Sequence, residues 1–166
     1  EYMILQLFVS LLLIAPIQKQ CQESFPVQTH SEDSLTVYIF LHDECVISQF
    51  FTPELTRLYE KYKAQKVGFV GYFPNSSSTL ERIEAFGESY HLTFPLLEDY
   101  KKEKTRLYGI TITPEVAVVD HRTGSQIYRG RIDDSYVRVG KRKTHPQHYD
   151  LEDTIESWRS NESPLL

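Results

Sequence analysis

Apolar and polar positions along the chain fall into two alternating regimes. Leu-Thr-Val-Tyr-Ile-Phe-Leu over 35–41 is continuously apolar and rich in β-formers, which predicts a strand buried on both faces. Downstream, Ile47, Phe50, Phe51, Leu55, Leu58 and Tyr62 recur at three- and four-residue spacing and predict a helix over 45–65. Asp43 and Glu44 supply helix-start chemistry, and Pro53 is expected to bend the helix. Lys-Val-Gly-Phe-Val-Gly-Tyr-Phe over 66–73 predicts a second buried strand. A turn over 74–78, with Ser caps, leads into a helix over 79–90. A short apolar piece at 94–97 precedes a helix over 100–108, which Gly109 ends. Strands over 115–120 and 126–130, joined by a turn containing Gly124, pair as a hairpin. A polar loop over 130–149 and a helix over 151–158, capped by Asp150, complete the series. This order gives an α/β fold, a central mixed sheet with helices on both faces.

The ends read differently. Residues 4–14 form an apolar run, too short for a confident membrane span and suited to the core of a signal peptide, although the usual positive flank is missing. They predict an export signal or membrane anchor, and with it an exported, periplasmic or membrane-anchored protein. The alternative is a helix packed on the domain. Residues 18–34 are polar, carry Pro26 and read as a linker. The expected organisation is therefore a leader and linker over 1–34, one domain over 35–160 and a tail over 161–166.

The 166 residues suffice for one domain with a real core, and eleven Tyr and nine Phe argue against disorder. A net charge of -5 offers no field for nucleic acid. The basic run Arg138, Lys141, Arg142 and Lys143 reads as a solvated loop. The cysteines, Cys21 and Cys45, are too few for a disulfide scaffold, and neither has zinc-ligand spacing. Cys45 with His42 makes only an incomplete soft-metal site. No metal and no cofactor are expected.

Cys45 is the residue with chemistry to offer. It follows a buried strand and opens a helix, whose unpaired N–H groups and partial positive charge favour a thiolate. Ser48, one turn on, is placed to donate a hydrogen bond to the sulfur. The charges of Asp43 and Glu44 oppose ionisation. Position alone leaves a reactive thiolate and an inert core thiol both open.

The segment Phe-Leu-His-Asp-Glu-Cys45-Val-Ile-Ser48-Gln-Phe-Phe-Thr-Pro53-Glu-Leu resembles the active-site segment of the thioredoxin superfamily, with Pro53 at the spacing of that superfamily's helix kink. Ile112-Thr113-Pro114-Glu115-Val-Ala-Val-Val-Asp resembles its cis-proline segment, which implies a cis bond at Pro114 and a substrate groove shaped by Thr113 and Pro114. The longer interval between the two motifs, and Tyr-Arg-Gly130-Arg-Ile-Asp-Asp-Ser-Tyr136, resemble the redoxin (alkyl hydroperoxide reductase / thiol-specific antioxidant) branch in bacteria. The resemblance covers roughly residues 35–160 and implies a thioredoxin-like fold. It departs from the pattern at four positions. Ser48 replaces the second cysteine of a CxxC, and Ile39 stands where thioredoxins keep a buried Asp. His42 and Tyr38 occupy positions that typical peroxiredoxins give to Thr or Ser and to Pro.

Two functions follow from this. One is a thiol-dependent oxidoreductase or antioxidant in which Cys45 attacks a protein or small-molecule disulfide, or a peroxide, and a second thiol completes turnover. The other is a redox-inactive binding module of the same fold. Arg129 and His42 are candidate neighbours of the thiolate. Arg129, Arg131, Asp133 and Asp134 also read as an ion-paired lock at the end of the hairpin.

Overall fold

The structure, a computed structural model, describes residues 33–138 and 140–162. The predicted leader, with Cys21, and the end of the tail lie outside the described residues. The elements are β1 (Leu35–Phe40), α1 (Val46–Tyr62), β2 (Val67–Phe73), α2 (Leu80–Ser89), β3 (Leu96–Glu98), α3 (Glu103–Leu107), β4 (Glu115–Asp120), β5 (Ser125–Gly130), β6 (Tyr136–Arg138), β7 (Lys141–Arg142) and α4 (Asp150–Glu162). The main sheet has the order β3-β2-β1-β4-β5. β1–β2 and β2–β3 pair parallel, while β1–β4 and β4–β5 pair antiparallel. The segment predicted as a plain loop over 130–149 also holds the small β6–β7 hairpin.

Alternation along β1 and β4 divides the core in two. Leu35, Val37, Ile39, Val116 and Val118 face a large cluster containing Leu55 and Leu58 of α1, Ile83 and Phe86 of α2, and Leu151, Ile155 and Trp158 of α4. Tyr38, Phe40, Ala117 and Val119 face the other side with Val70, Tyr72 and Ile110. Among the described residues, α3 is the helix at that second face, through its C-cap Tyr108, which stacks on Tyr38 at 4.6 Å between ring centroids. Helices thus lie on both faces, but unequally. Two successive right-handed crossovers in one direction, β1-α1-β2 and β2-α2-β3, put both helices on the same side.

Pro53 lies inside α1, where it removes the amide that would bond to the carbonyl of Gln49. The Thr52 hydroxyl donates to that carbonyl at 2.8 Å, so the acceptor is not left bare. α1 is tied to α4 by Lys61, which pairs with Glu152 at 2.7 Å and Glu156 at 2.8 Å, and by the Tyr62 hydroxyl, which donates to Glu156 at 2.6 Å. Burial and that carboxylate push the Tyr62 phenol up to about 12.

The hydrogen bond from Lys61, then that from Tyr62, holds the Glu156 carboxyl at about 2, below its ordinary 4.5. A carboxyl depressed on folding contributes stability that is complete above its unfolded value and is lost as pH falls towards the folded one. The melting temperature is therefore expected to fall between about pH 5 and pH 2. Glu156→Gln should flatten that part of the profile. Parallel calorimetric profiles for parent and variant would contradict the assignment.

Candidate active site

β1 ends at Phe40, and four further residues carry the chain to Cys45, the N-cap of α1. The intervening turn is held from several sides. The Cys45 amide donates to the His42 carbonyl at 3.0 Å. The His42 amide donates to Ser48 Oγ at 3.2 Å, and the Gln49 side chain donates to the Asp43 carbonyl at 2.8 Å. Ser48 is fully buried. Spacing offers its hydroxyl to the sulfur; its described hydrogen bond is the one its oxygen accepts from the His42 amide, so Ser48 braces the turn that carries Cys45.

Cys45 is half-buried and is the free cysteine among the described residues. Its sulfur lies 3.8 Å from the carbonyl oxygen of Thr113, with the thiol as donor. The Thr113–Pro114 peptide is cis. Val46 and Ile112, the chain neighbours of Cys45 and Thr113, are 62% and 66% exposed, so the sulfur sits beside an apolar rim open to solvent.

Asp43 does not cap α1. Its carboxylate accepts hydrogen bonds from the Ser78 hydroxyl and, at 2.7 Å, from Arg82 Nε. Burial works to raise the Asp43 carboxyl, but Ser78 and Arg82 together bring it below its ordinary value. Arg82 also pairs with Glu44 at 2.6 Å. The two acids expected to oppose ionisation at Cys45 are thus countered by one guanidinium from α2, which spacing along the chain did not reveal. His42 Nδ1 accepts the Glu44 amide at 3.2 Å, and its Nε2 meets the side-chain amide of Asn75.

The loop before β4 is clamped by Glu115. This residue is 7% exposed. Its Oε2 accepts the Thr111 amide at 2.8 Å and the Ile112 amide at 3.5 Å, and Oε1 lies 3.7 Å from Arg129 Nε. Arg129 also donates to the Gly109 carbonyl. Gly109 has φ +68, a left-handed conformation natural to glycine at a helix end, and an added Cβ would lie 2.8 Å from the Arg129 guanidinium. The described contacts of Arg129 are therefore with the loop behind the site. Sequence reasoning did not single out Glu115, although its place directly after Pro114 was the available signal.

The other polar residues of the hairpin end form a lock distant from this loop. Arg131 pairs with Asp150 at 2.7 Å, Asp133 accepts the Ser135 amide at 2.7 Å, and Asp134 accepts the Gln147 amide at 2.7 Å and binds Lys143. Among the described residues, no group of three His, Cys, Asp or Glu side chains is arranged to hold a metal ion.

Residues 17–125 match the sequence model of the AhpC/TSA family. No curated protein matches the chain. Among solved structures, an uncharacterized conserved protein from Geobacillus kaustophilus is similar at 29% identity, covering 68% of this chain and 61% of that one, with a TM-score of 0.60. The hypothetical protein SMc02350 from Sinorhizobium meliloti 1021 is similar at 25% identity, with coverage of 66% and 62% and a TM-score of 0.60. The chain thus spans about three fifths of the length of these two proteins. A secreted disulfide oxidoreductase of Mycobacterium tuberculosis shares the fold at 16% identity, with coverage of 78% and 83% and a TM-score of 0.53. These likenesses establish a thioredoxin-like α/β fold.

Replacing Glu115 by Ala strands two loop amides and removes the carboxylate that faces Arg129. The expected loss is about 1–3 kcal/mol in urea unfolding, and Glu115→Gln should recover part of it by keeping an acceptor oxygen. An alanine variant as stable as the parent would show that the clamp does not hold the loop.

Proposed function

We propose that this chain, which belongs to the AhpC/TSA family, is a thiol-dependent oxidoreductase of the redoxin type with Cys45 as its nucleophile. The observation that carries this reading is the half-buried sulfur at the N-cap of α1, 3.8 Å from the Thr113 carbonyl, beside an exposed apolar rim. Helix N-terminal amides favour the anion that performs the attack.

On a disulfide, the Cys45 thiolate bonds to one sulfur while the S–S bond breaks. The leaving sulfur takes the electron pair and a proton, and a second thiol later releases Cys45 by the same exchange. On a peroxide, the sulfur takes one oxygen to become a sulfenic acid, and the other oxygen leaves as water or an alcohol. Ser48 stands where a CxxC has its second cysteine, so the motif supplies no resolving thiol, and in this reading one from a partner or a small molecule completes turnover. In this scheme Ser48 and His42 fix the turn, Thr113 and Pro114 shape the groove, and Arg129 acts through Glu115. The domain is assigned to 35–160, behind an export signal or anchor segment and a linker over 1–34. The apolar run at 4–14 supports an exported bacterial protein, periplasmic or membrane-anchored.

The test is alkylation of Cys45 with iodoacetamide across pH, followed by mass spectrometry after peroxide or disulfide treatment. Cys45 is expected to be alkylated, through its thiolate. It should also carry a sulfenic acid or mixed disulfide that is absent from Cys45→Ser. A Cys45 inert to all three reagents would overturn this reading and leave a binding module.

A further inference from the structure

A groove of about 500 Å³ has His42, Asn75, Tyr100, Lys102, Thr105 and Thr113 in its walls, and the carbonyl of Thr113 faces the Cys45 sulfur at 3.8 Å. That volume suits a small molecule. Its walls contain no carboxylate, although the whole chain has a net charge of -5. Three buried or partly buried acids near the groove, Asp99, Glu115 and Asp43, are committed elsewhere. Asp99, 6% exposed, accepts the Lys104 amide at 3.1 Å, the Thr105 amide at 2.8 Å and the Thr105 hydroxyl at 2.7 Å. Glu115 is occupied by the loop amides, and Asp43 by Ser78 and Arg82. Lys102 forms no ion pair among the described residues and adopts a left-handed φ of 56, uncommon for a residue with a side chain. The groove therefore presents one lysine, amides and hydroxyls, and its lining includes Thr113, whose carbonyl faces the nucleophilic sulfur.

We propose that this groove binds a low-molecular-weight disulfide bearing a carboxylate, with Lys102 as the carboxylate-binding residue. The proposal rests on the assignment of Cys45 as nucleophile. Lys102 holds the carboxylate while one sulfur of the ligand meets Cys45. Exchange then forms the Cys45–ligand disulfide, and the other half leaves as a thiol with the electron pair of the broken S–S bond and a proton. A second molecule of low-molecular-weight thiol regenerates Cys45 by the same exchange.

Three small disulfides of similar shape make the test: 3,3′-dithiodipropionate (dianionic), bis(2-hydroxyethyl) disulfide (neutral) and cystamine (dicationic). Each rate at Cys45 is divided by the rate of the same reagent with a free small thiol. The dianion should lead the neutral compound by about fivefold at low salt, the scale of one exposed charge pair, and cystamine should trail. The preference should shrink as salt rises. Lys102→Glu should reverse the order once each rate is divided by the same protein's rate of alkylation by neutral iodoacetamide. In Cys45→Ser, dithiodipropionate should shift amide resonances of Thr105, Thr111 and Thr113, and a further Lys102→Glu change should abolish those shifts. An order independent of charge, or shifts indifferent to Lys102, overturns the groove assignment even if Cys45 is reactive. An inert Cys45 in a protein whose groove still binds the dianion overturns the thiol chemistry, and the exchange step with it, but not anion recognition.

Discussion

Antiparallel pairing of β1 with β4, in the register that sets Phe40 opposite Glu115, is the constraint on which the site depends. β1 ends where β4 begins, so the turn leaving β1 and the loop entering β4 emerge at the same end of the sheet. Cys45 and Thr113 are 68 residues apart in sequence and meet at 3.8 Å because of it. The register is well specified, since β1 and β4 are buried along their whole length. A one-residue slip would exchange Val37 and Ile39 with Tyr38 and Phe40 between two differently shaped half-cores.

Around that junction, polar groups serve geometry more than chemistry. Ser48 secures the turn before α1 from inside the core, and Glu115 secures the loop before β4. Arg82 reaches across from α2 to Asp43 and Glu44, so the charges nearest the nucleophile are partly balanced. Ile39, in place of the buried acid of thioredoxins, is sealed in the main core. The local environment of Cys45 is therefore built from the Thr113 carbonyl, a helix terminus and a partly balanced ion cluster.

Much of the fold was legible because its central elements are extreme. Strands buried on both faces become unbroken apolar runs, and α1 prints its packing face at helical spacing. The edges were harder. β3 has three residues, and β7 consists of the exposed Lys141 and Arg142, paired through backbone groups that carry no sequence signal. The crowding of α1, α2 and α4 onto one face follows from strand order, which hydrophobic pattern does not encode. At the site, Cys45 stood out through its place between strand and helix. Arg82 and Lys102 did not, because nothing near them in sequence marks which distant loop they approach. Arg129 was visible as a cation, but its partner Glu115 emerges only from the hairpin register that sets β5 beside β4.

The Thr113 carbonyl is expected to face the Cys45 sulfur in solution as well. Carbon-13 NMR across pH tests it directly, by following Cys45 Cβ for the state of the sulfur and the Thr113 carbonyl carbon for its neighbour. The two resonances should move with a common midpoint, and the Thr113 response should vanish in Cys45→Ser. A Thr113 carbonyl that stays flat while Cys45 Cβ titrates would contradict the account.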